Sequence, residues 1–207
     1  MEKYKLDLLG ESKYNPNANP SVLNEFATAA FRFGHSMINS LFKVIFTNQE
    51  IFWRLSDLFN GKKFNGKHLI DIEPMILGLL NQNAQKVDGS FANEISDHLF
   101  QEHSPKRQTQ FGGDLVARNI QRGRDHGIPS YNKYRQMCGL LRAADFTHLT
   151  EIPPAWVDRL KRVYKNPNDI DLFTGLLLEK KLPGAMVGPT LGCLLAMQFD
   201  QLRKCDR

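Results

Sequence analysis

His35 is the first residue in this sequence whose type and setting could do chemistry. It sits in the run VLNEFATAAFRFGHSMINSLFKVIF, among Phe31, Phe33, Met37 and Ile38, and Arg32 lies three residues before it. A lone histidine in an apolar helix is ordinarily a hydrogen-bonded core residue. An arginine on roughly the same helical face is harder to explain by packing. A buried guanidinium must meet an anion or a dense set of acceptors. A second candidate segment, DLVARNIQRGRDHGIPSYNKYR, runs from Asp114 to Arg135. Its spacing puts Asn119 and Arg122 on one face and crowds Arg122, Arg124, Asp125 and His126 beside Gly127 and Pro129. The bland readings of that cluster are a solvated basic helix end or an Arg-Gly contact to nucleic acid. Aromatic side chains there are sparse, Tyr131 and Tyr134, which argues against nucleic acid. One ligand meets the needs of His35 and Arg32 together. A haem has an iron that takes an imidazole nitrogen and propionates that take guanidinium forks.

The elements that must position these residues read as helices. Ser21, after the turn-rich NPNANP, is placed to cap a helix. Apolar residues at Val22, Phe26, Ala29, Ala30, Phe33, Met37, Leu41 and Ile45 continue the helical spacing for about six turns. Gly61 to Gly66 reads as a turn cluster, Glu73-Pro74 as the start of a short helix through Leu80, and Phe91 to Gln101 as another. DLVARNIQRGRDHG reads as a helix closed near Gly127. Further starts fall at Pro129, Pro153-Pro154 and Asp169-Ile170-Asp171, and a last helix spans about Thr190 to Leu202. No strand alternation stands out, so the expected fold is mainly α with long loops.

The 207 residues allow one domain or two, with 42% apolar and 24% charged residues, which excludes a disordered or collagen-like chain. The net charge of +5 is local: His103 to Arg142 holds eight basic residues and two acids. MEKYKLDLLGES is no signal peptide. Together with the abrupt end QLRKCDR it suggests truncation at both ends. Leu182 to Phe199 has no charge, but only 11 of its 18 residues are apolar and Pro183, Pro189 and three glycines interrupt it. A loop and a buried helix fit better than a transmembrane segment. The cysteines are Cys138, Cys193 and Cys205, with no CxxC or HxxxH spacing for zinc. Their count leaves a reduced intracellular protein equally consistent.

Three stretches together resemble the animal haem peroxidases of the peroxidase–cyclooxygenase superfamily. NEFATAAFRFGHSMI resembles the proximal-histidine helix of that family, and NIQRGRDHGIPSYNKYR its most recognisable motif. NPNDIDLFTGLLLEKKLPGAMVGPTLGCLLAMQFDQLR resembles its C-terminal region. The matches are in family order and cover most of Asn19 to Arg207, in wording most like the invertebrate peroxinectin and chorion peroxidase branch. The resemblance implies the C-terminal part of the family's helical fold, with residues 1–207 a partial peroxidase domain on the proximal haem side.

The same resemblance implies roles for individual residues. His35 would be the axial ligand of a haem b iron. Asn119, 84 residues later, would accept a hydrogen bond from its other ring nitrogen and so fix its tautomer. Arg32 and Arg122 would pair with the propionates. Arg124, Asp125 and His126 would join helix end to loop. Cys138 and Cys193 match positions bridged in the family, in a loop whose closure contributes roughly 4 kcal/mol. Cys205 departs from the pattern as a free thiol or an inter-chain link, and Arg118 stands where an apolar residue is usual. The distal histidine, a calcium loop and a catalytic Arg-Glu segment would lie upstream. His68, His98, His103 and His148 sit in unrelated surroundings, so no catalytic residue is expected in this chain. The complete protein would use hydrogen peroxide to oxidise a small reducing substrate, a phenol, a tyrosine or a halide, and would be secreted. The alternatives are a non-catalytic matrix or adhesion module, or the peroxidase-like domain of a dual oxidase or fatty-acid oxygenase.

Overall fold

The computed structural model describes residues 13–59, 72–101, 103–104, 107–108 and 112–205, and for 103, 104, 107 and 108 the backbone alone. The opening MEKYKLDLLGES, the Gly61–Gly66 turn cluster, His68, Lys106 and the side chains of His103 and Arg107 lie outside the described residues. The fold is mainly helical. In chain order come α1 (Asn24–Thr28), a 3-10 helix (Ala30–Met37), β1 (Leu41–Phe46), β2 (Gln49–Arg54), α2 (Leu55–Leu58), α3 (Ile72–Leu80), α4 (Asn93–Ser96), β3 (His103–Ser104) and β4 (Arg107–Gln108). There follow α5 (Leu115–Asp125), α6 (Tyr131–Met137), α7 (Pro154–Val163), α8 (Leu172–Leu178) and α9 (Pro189–Cys205). No helix among the described residues is long and apolar enough to cross a membrane.

The chain forms two compact units. The first takes the described residues of Met1–Gly34, Val87–Gly89 and Asn119–Arg207, the second those of His35–Lys86 and Ser90–Arg118.

The six-turn helix expected from Val22 is not formed. It stops at Ala29, whose backbone turns to φ −135°, ψ −63°. Phe26 and Phe31 explain the break. Five residues apart on an unbroken helix, they would point about 140° away from each other. With the break their rings stack at 4.7 Å, and both meet Phe199 of α9 edge-on, at 5.9 and 6.2 Å. Ser21 is not the cap either. The N-cap position falls on Leu23, whose N–H donates to the buried Gln198 Oε1 of α9 at 2.6 Å.

The core of the first unit lies among α6, α8 and α9, with Tyr131, Ile170, Leu191 and Leu194 fully buried. Gly175 lets α8 touch α6, since a Cβ there would fall 2.1 Å from Tyr131 Cγ. The Tyr131 hydroxyl donates to Glu179 Oε1 at 2.8 Å, and Glu179 Oε2 accepts the Thr190 and Leu191 N–H groups at 2.9 and 3.4 Å. A buried carboxylate thus sits at the amino end of α9, where the helix dipole favours it. Arg135, fully buried, pairs with Glu151 and lies over the Tyr131 ring. Cys138 and Cys193 are disulfide-bonded, with Cα atoms 5.9 Å apart, tying the end of α6 to α9.

Burial pushes the Glu179 carboxyl up from its ordinary value, against the donors that hold it down. A raised folded value means the stabilising contribution is complete below about pH 4.5 and fades as pH rises through the folded value. Glu179→Gln removes that titration and keeps an acceptor for α9. Its stability relative to wild type is expected to improve from pH 4 to pH 8 in urea unfolding. Parallel profiles for the two proteins would rule this out.

In the second unit, β1 and β2 pair antiparallel from Leu41↔Arg54 to Phe46↔Gln49, joined by Thr47-Asn48. This hairpin corrects the expectation that no strand is present. Val44, Ile45 and the aromatics at 42, 46, 52 and 53 are strand-favouring residue types, and they override the helical spacing of Leu41 and Ile45. Helix α3 packs on β1. Gln82, just past α3, accepts the Lys43 N–H at 2.9 Å and donates to Leu41 O at 2.7 Å. The helix expected over Phe91–Gln101 shrinks to α4. Beyond it Leu99 forms an antiparallel bridge with Gly113, so its backbone groups bond across the chain instead of along a helix.

Candidate functional site

Helix α5 carries the motif segment, and its two ends are well defined. Asp114 Oδ1 accepts the Val116 and Ala117 N–H groups at 2.8 and 3.0 Å, which caps the start. At the finish Ile128 N–H donates to Gly123 O and Gly127 N–H to Arg124 O, with Gly127 at φ +63°. That is a Schellman closure, which needs a left-handed residue after the helix. Gly127→Ala is expected to cost about 1 kcal/mol of stability in urea unfolding. An unchanged midpoint would show that the turn tolerates a side chain.

Three of the expected site residues come together in the first unit. Asn119 is fully buried. Arg32, half-buried, donates from Nη1 to Asn119 Oδ1 at 3.1 Å and from Nε to Ala27 O at 3.0 Å. The third is Arg122, one turn after Asn119 on α5. Burial first, and then the charge of Arg122, lower the Arg32 pKa. Arg122 is exposed, and its charge reaches the half-buried Arg32. Among the described residues neither has a carboxylate within ion-pair distance, although the same segment pairs Arg124 fully. Two converging cations without a counter-charge fit a ligand bearing carboxylates.

Its apolar setting gave Arg32 an anion, and only the resemblance gave Asn119 an imidazole. The direct bond between the two went unforeseen, because 87 residues separate them. His35 belongs to the second unit, half-buried at the end of the 3-10 helix. Arg118 is exposed, and its guanidinium lies against Gly113.

The rest of the cluster makes contacts of its own. Arg124 donates to both carboxylate oxygens of Asp171, at 2.9 and 2.7 Å, and this pairing raises its pKa. Asp171 also accepts from the Tyr164 hydroxyl at 2.7 Å. Asp125 accepts from Gln121 at 2.7 Å, and the His126 ring meets Asn24 Oδ1 at 3.0 Å. Asp171 was legible only as a helix start, since nothing in its neighbourhood singles it out as the partner of Arg124. Cys205 is a free, half-buried thiol on the last turn of α9. Among the described residues no group of three or more His, Cys, Asp or Glu side chains could hold a metal ion.

Comparison with known proteins points one way. A family model described as "Animal haem peroxidase" matches residues 1–207. Peroxidasin of Drosophila melanogaster is 38% identical over 98% of this chain, which covers 13% of that protein. Peroxidase-like protein 3 of Lottia gigantea is 38% identical over 93% of this chain, covering 60% of it. The solved structure of peroxidase A from Dictyostelium discoideum superposes with a TM-score of 0.79 at 32% identity, over 95% of this chain and 37% of that one. The chain thus spans less than two thirds of each of these relatives.

Proposed function

The chain belongs to the animal haem peroxidase family, and from that premise we propose that it forms the proximal haem wall of a peroxidase. The observation that carries this reading is the buried Asn119 amide held by Arg32, with Arg122 one turn away and, among the described residues, no carboxylate within ion-pair distance of either arginine. Bound there, haem b supplies the redox chemistry by which hydrogen peroxide is reduced and a phenol, a tyrosine or a halide is oxidised. Arg32 and Arg122 would hold its propionates as cationic donors. His35 would hold the iron through a ring nitrogen. In this reading Asn119 Oδ1 would accept the other ring N–H of His35, for which it has room, since a carbonyl oxygen has two lone pairs and Arg32 takes one. That contact keeps the proton on the nitrogen facing Asn119 and leaves the opposite nitrogen free for the metal. The Arg32 charge on the same oxygen draws electron density from it, so His35 stays close to a neutral imidazole.

Peroxide cleavage needs a distal acid–base group and a cation near it. We read residues 1–207 as part of one haem peroxidase domain, with those groups and a calcium site supplied from elsewhere in the protein. Its span of 37% of the solved relative supports this. The disulfide supports a secreted protein, since such bonds persist in oxidising compartments. Cys205 is the thiol on which an inter-chain link would form.

The test uses the full-length protein loaded with haem. Wild type is expected to oxidise tyrosine in a peroxide-dependent manner. Asn119→Asp is expected to make the imidazole more anionic, lower the iron reduction potential and cut turnover by about 10- to 100-fold. No peroxide-dependent oxidation by wild type would end the peroxidase reading. A potential unmoved by Asn119→Asp would end the contact to His35.

A further inference from the structure

Away from the Arg32–Asn119–Arg122 cluster, the first unit carries an open cleft of about 360 Å3. Nothing in the proposed peroxidase chemistry uses it. Phe146, Leu149, Ile152 and Val157 give it an apolar lining, and the last three are almost fully buried beneath it. Lys161 of α7 and Lys180, two residues past α8, line the same cleft, and both are exposed. Lys180 is anchored: its Nζ donates to Thr150 O at 2.9 Å and its backbone N–H to Glu151 O at 2.6 Å. The acid paired with Lys161 is Asp158, which also lines the cleft, at 3.8 Å with both side chains largely exposed. A pair that long and wet holds an ammonium weakly, and an ammonium has three donors to offer. Among the lining residues Lys161 and Lys180 outnumber Asp158, the one acid, which favours an anion in the cleft.

An apolar lining with cations beside it suits a ligand with an apolar body and an anionic head. The volume lies near the small end of ordinary ligand sites, about 300–1,000 Å3, which fits one or two rings and excludes a long chain. We infer that this cleft binds a small aromatic acid. Its rings lie on Phe146 and Pro154, over a floor formed by Leu149, Ile152 and Val157, and its carboxylate or sulfonate meets Lys161 and Lys180. The inference stands apart from the peroxidase reading, because no residue is shared with the haem wall.

Two probes with one ring system test it on the full chain by fluorescence titration: 8-anilinonaphthalene-1-sulfonate and its uncharged parent, N-phenyl-1-naphthylamine. Lys161→Glu is expected to weaken the sulfonate about five- to tenfold and the uncharged probe less than twofold. Phe146→Ala is expected to weaken both. Sulfonate affinity unchanged in Lys161→Glu, or both probes weakened equally by it, overturns the assignment. Wild-type affinity in Phe146→Ala overturns it too, since the probe is then on another apolar surface. Lys161→Glu is expected to keep the wild-type Soret band in the haem-loaded protein, which separates this result from the fate of the haem reading.

Discussion

His35→Ala in the full-length protein is expected to lose its haem on gel filtration, and with it the Soret band. Arg32 and Arg122 would still offer donors to the propionates, but those contacts are exchanged readily with water. On the proposed assignment, a bond from the imidazole to the iron would be replaced by water far less readily. Replacing an outer partner of a metal ligand costs about 10- to 100-fold in affinity, and removing the ligand itself is expected to cost more. Arg122→Gln is the comparison. It should weaken retention and leave the band position unchanged, because it touches no ligand. Free imidazole added to His35→Ala is expected to restore part of the band by filling the space left. A Soret band undiminished in His35→Ala would remove the ligand assignment, and with it the reason for Asn119 to be buried.

Removing both halves of the Cys138–Cys193 bridge by alanine is the second large effect. The bridge closes a sequence separation of 55 residues. Its loss is expected to lower stability by about 4 kcal/mol by chain entropy. That loop contains Arg142, Glu151, α7 and α8, and it includes Asp171, the partner of Arg124. The change should therefore register beyond its own neighbourhood, as a loss of protection in the α5 amides under hydrogen exchange. Urea unfolding of the double variant and of wild type with the bond intact provides the measurement. A difference below about 1 kcal/mol would mean that the unfolded chain is already held compact in some other way.

Much of this was legible in the sequence, for identifiable physical reasons. Helix α5 was readable because Asp114 caps it and Gly127 ends it, both local signals within its own few residues. Helices α7 and α9 follow proline starts for the same reason. The segment after Ile38 was misread because Leu41 and Ile45 satisfy a helical period while Val44, Ile45 and their aromatic neighbours favour a strand. Only the partner strand β2 decides between them, and it lies beyond the turn at Thr47-Asn48. The site was legible in its residue types and not in its wiring. Arg32 and Asn119 each stood out, yet their bond joins positions 87 apart. Arg124 looked like part of a basic cluster, and its neutralisation by Asp171 depends on where α8 comes to rest.

The amide of Gln82 has a further meaning for the hairpin. By bonding Lys43 N–H and Leu41 O it takes two of the groups that an incoming strand would seek on the side of β1 away from β2, where Gly78 of α3 already lies against Lys43 O. A two-stranded ribbon with an open side is a template on which other chains can add. A single side chain here imitates the next strand for one repeat and stops it there. Gln82 therefore bears on whether the molecule stays apart from its own copies at high concentration, a matter of colloidal behaviour rather than of catalysis.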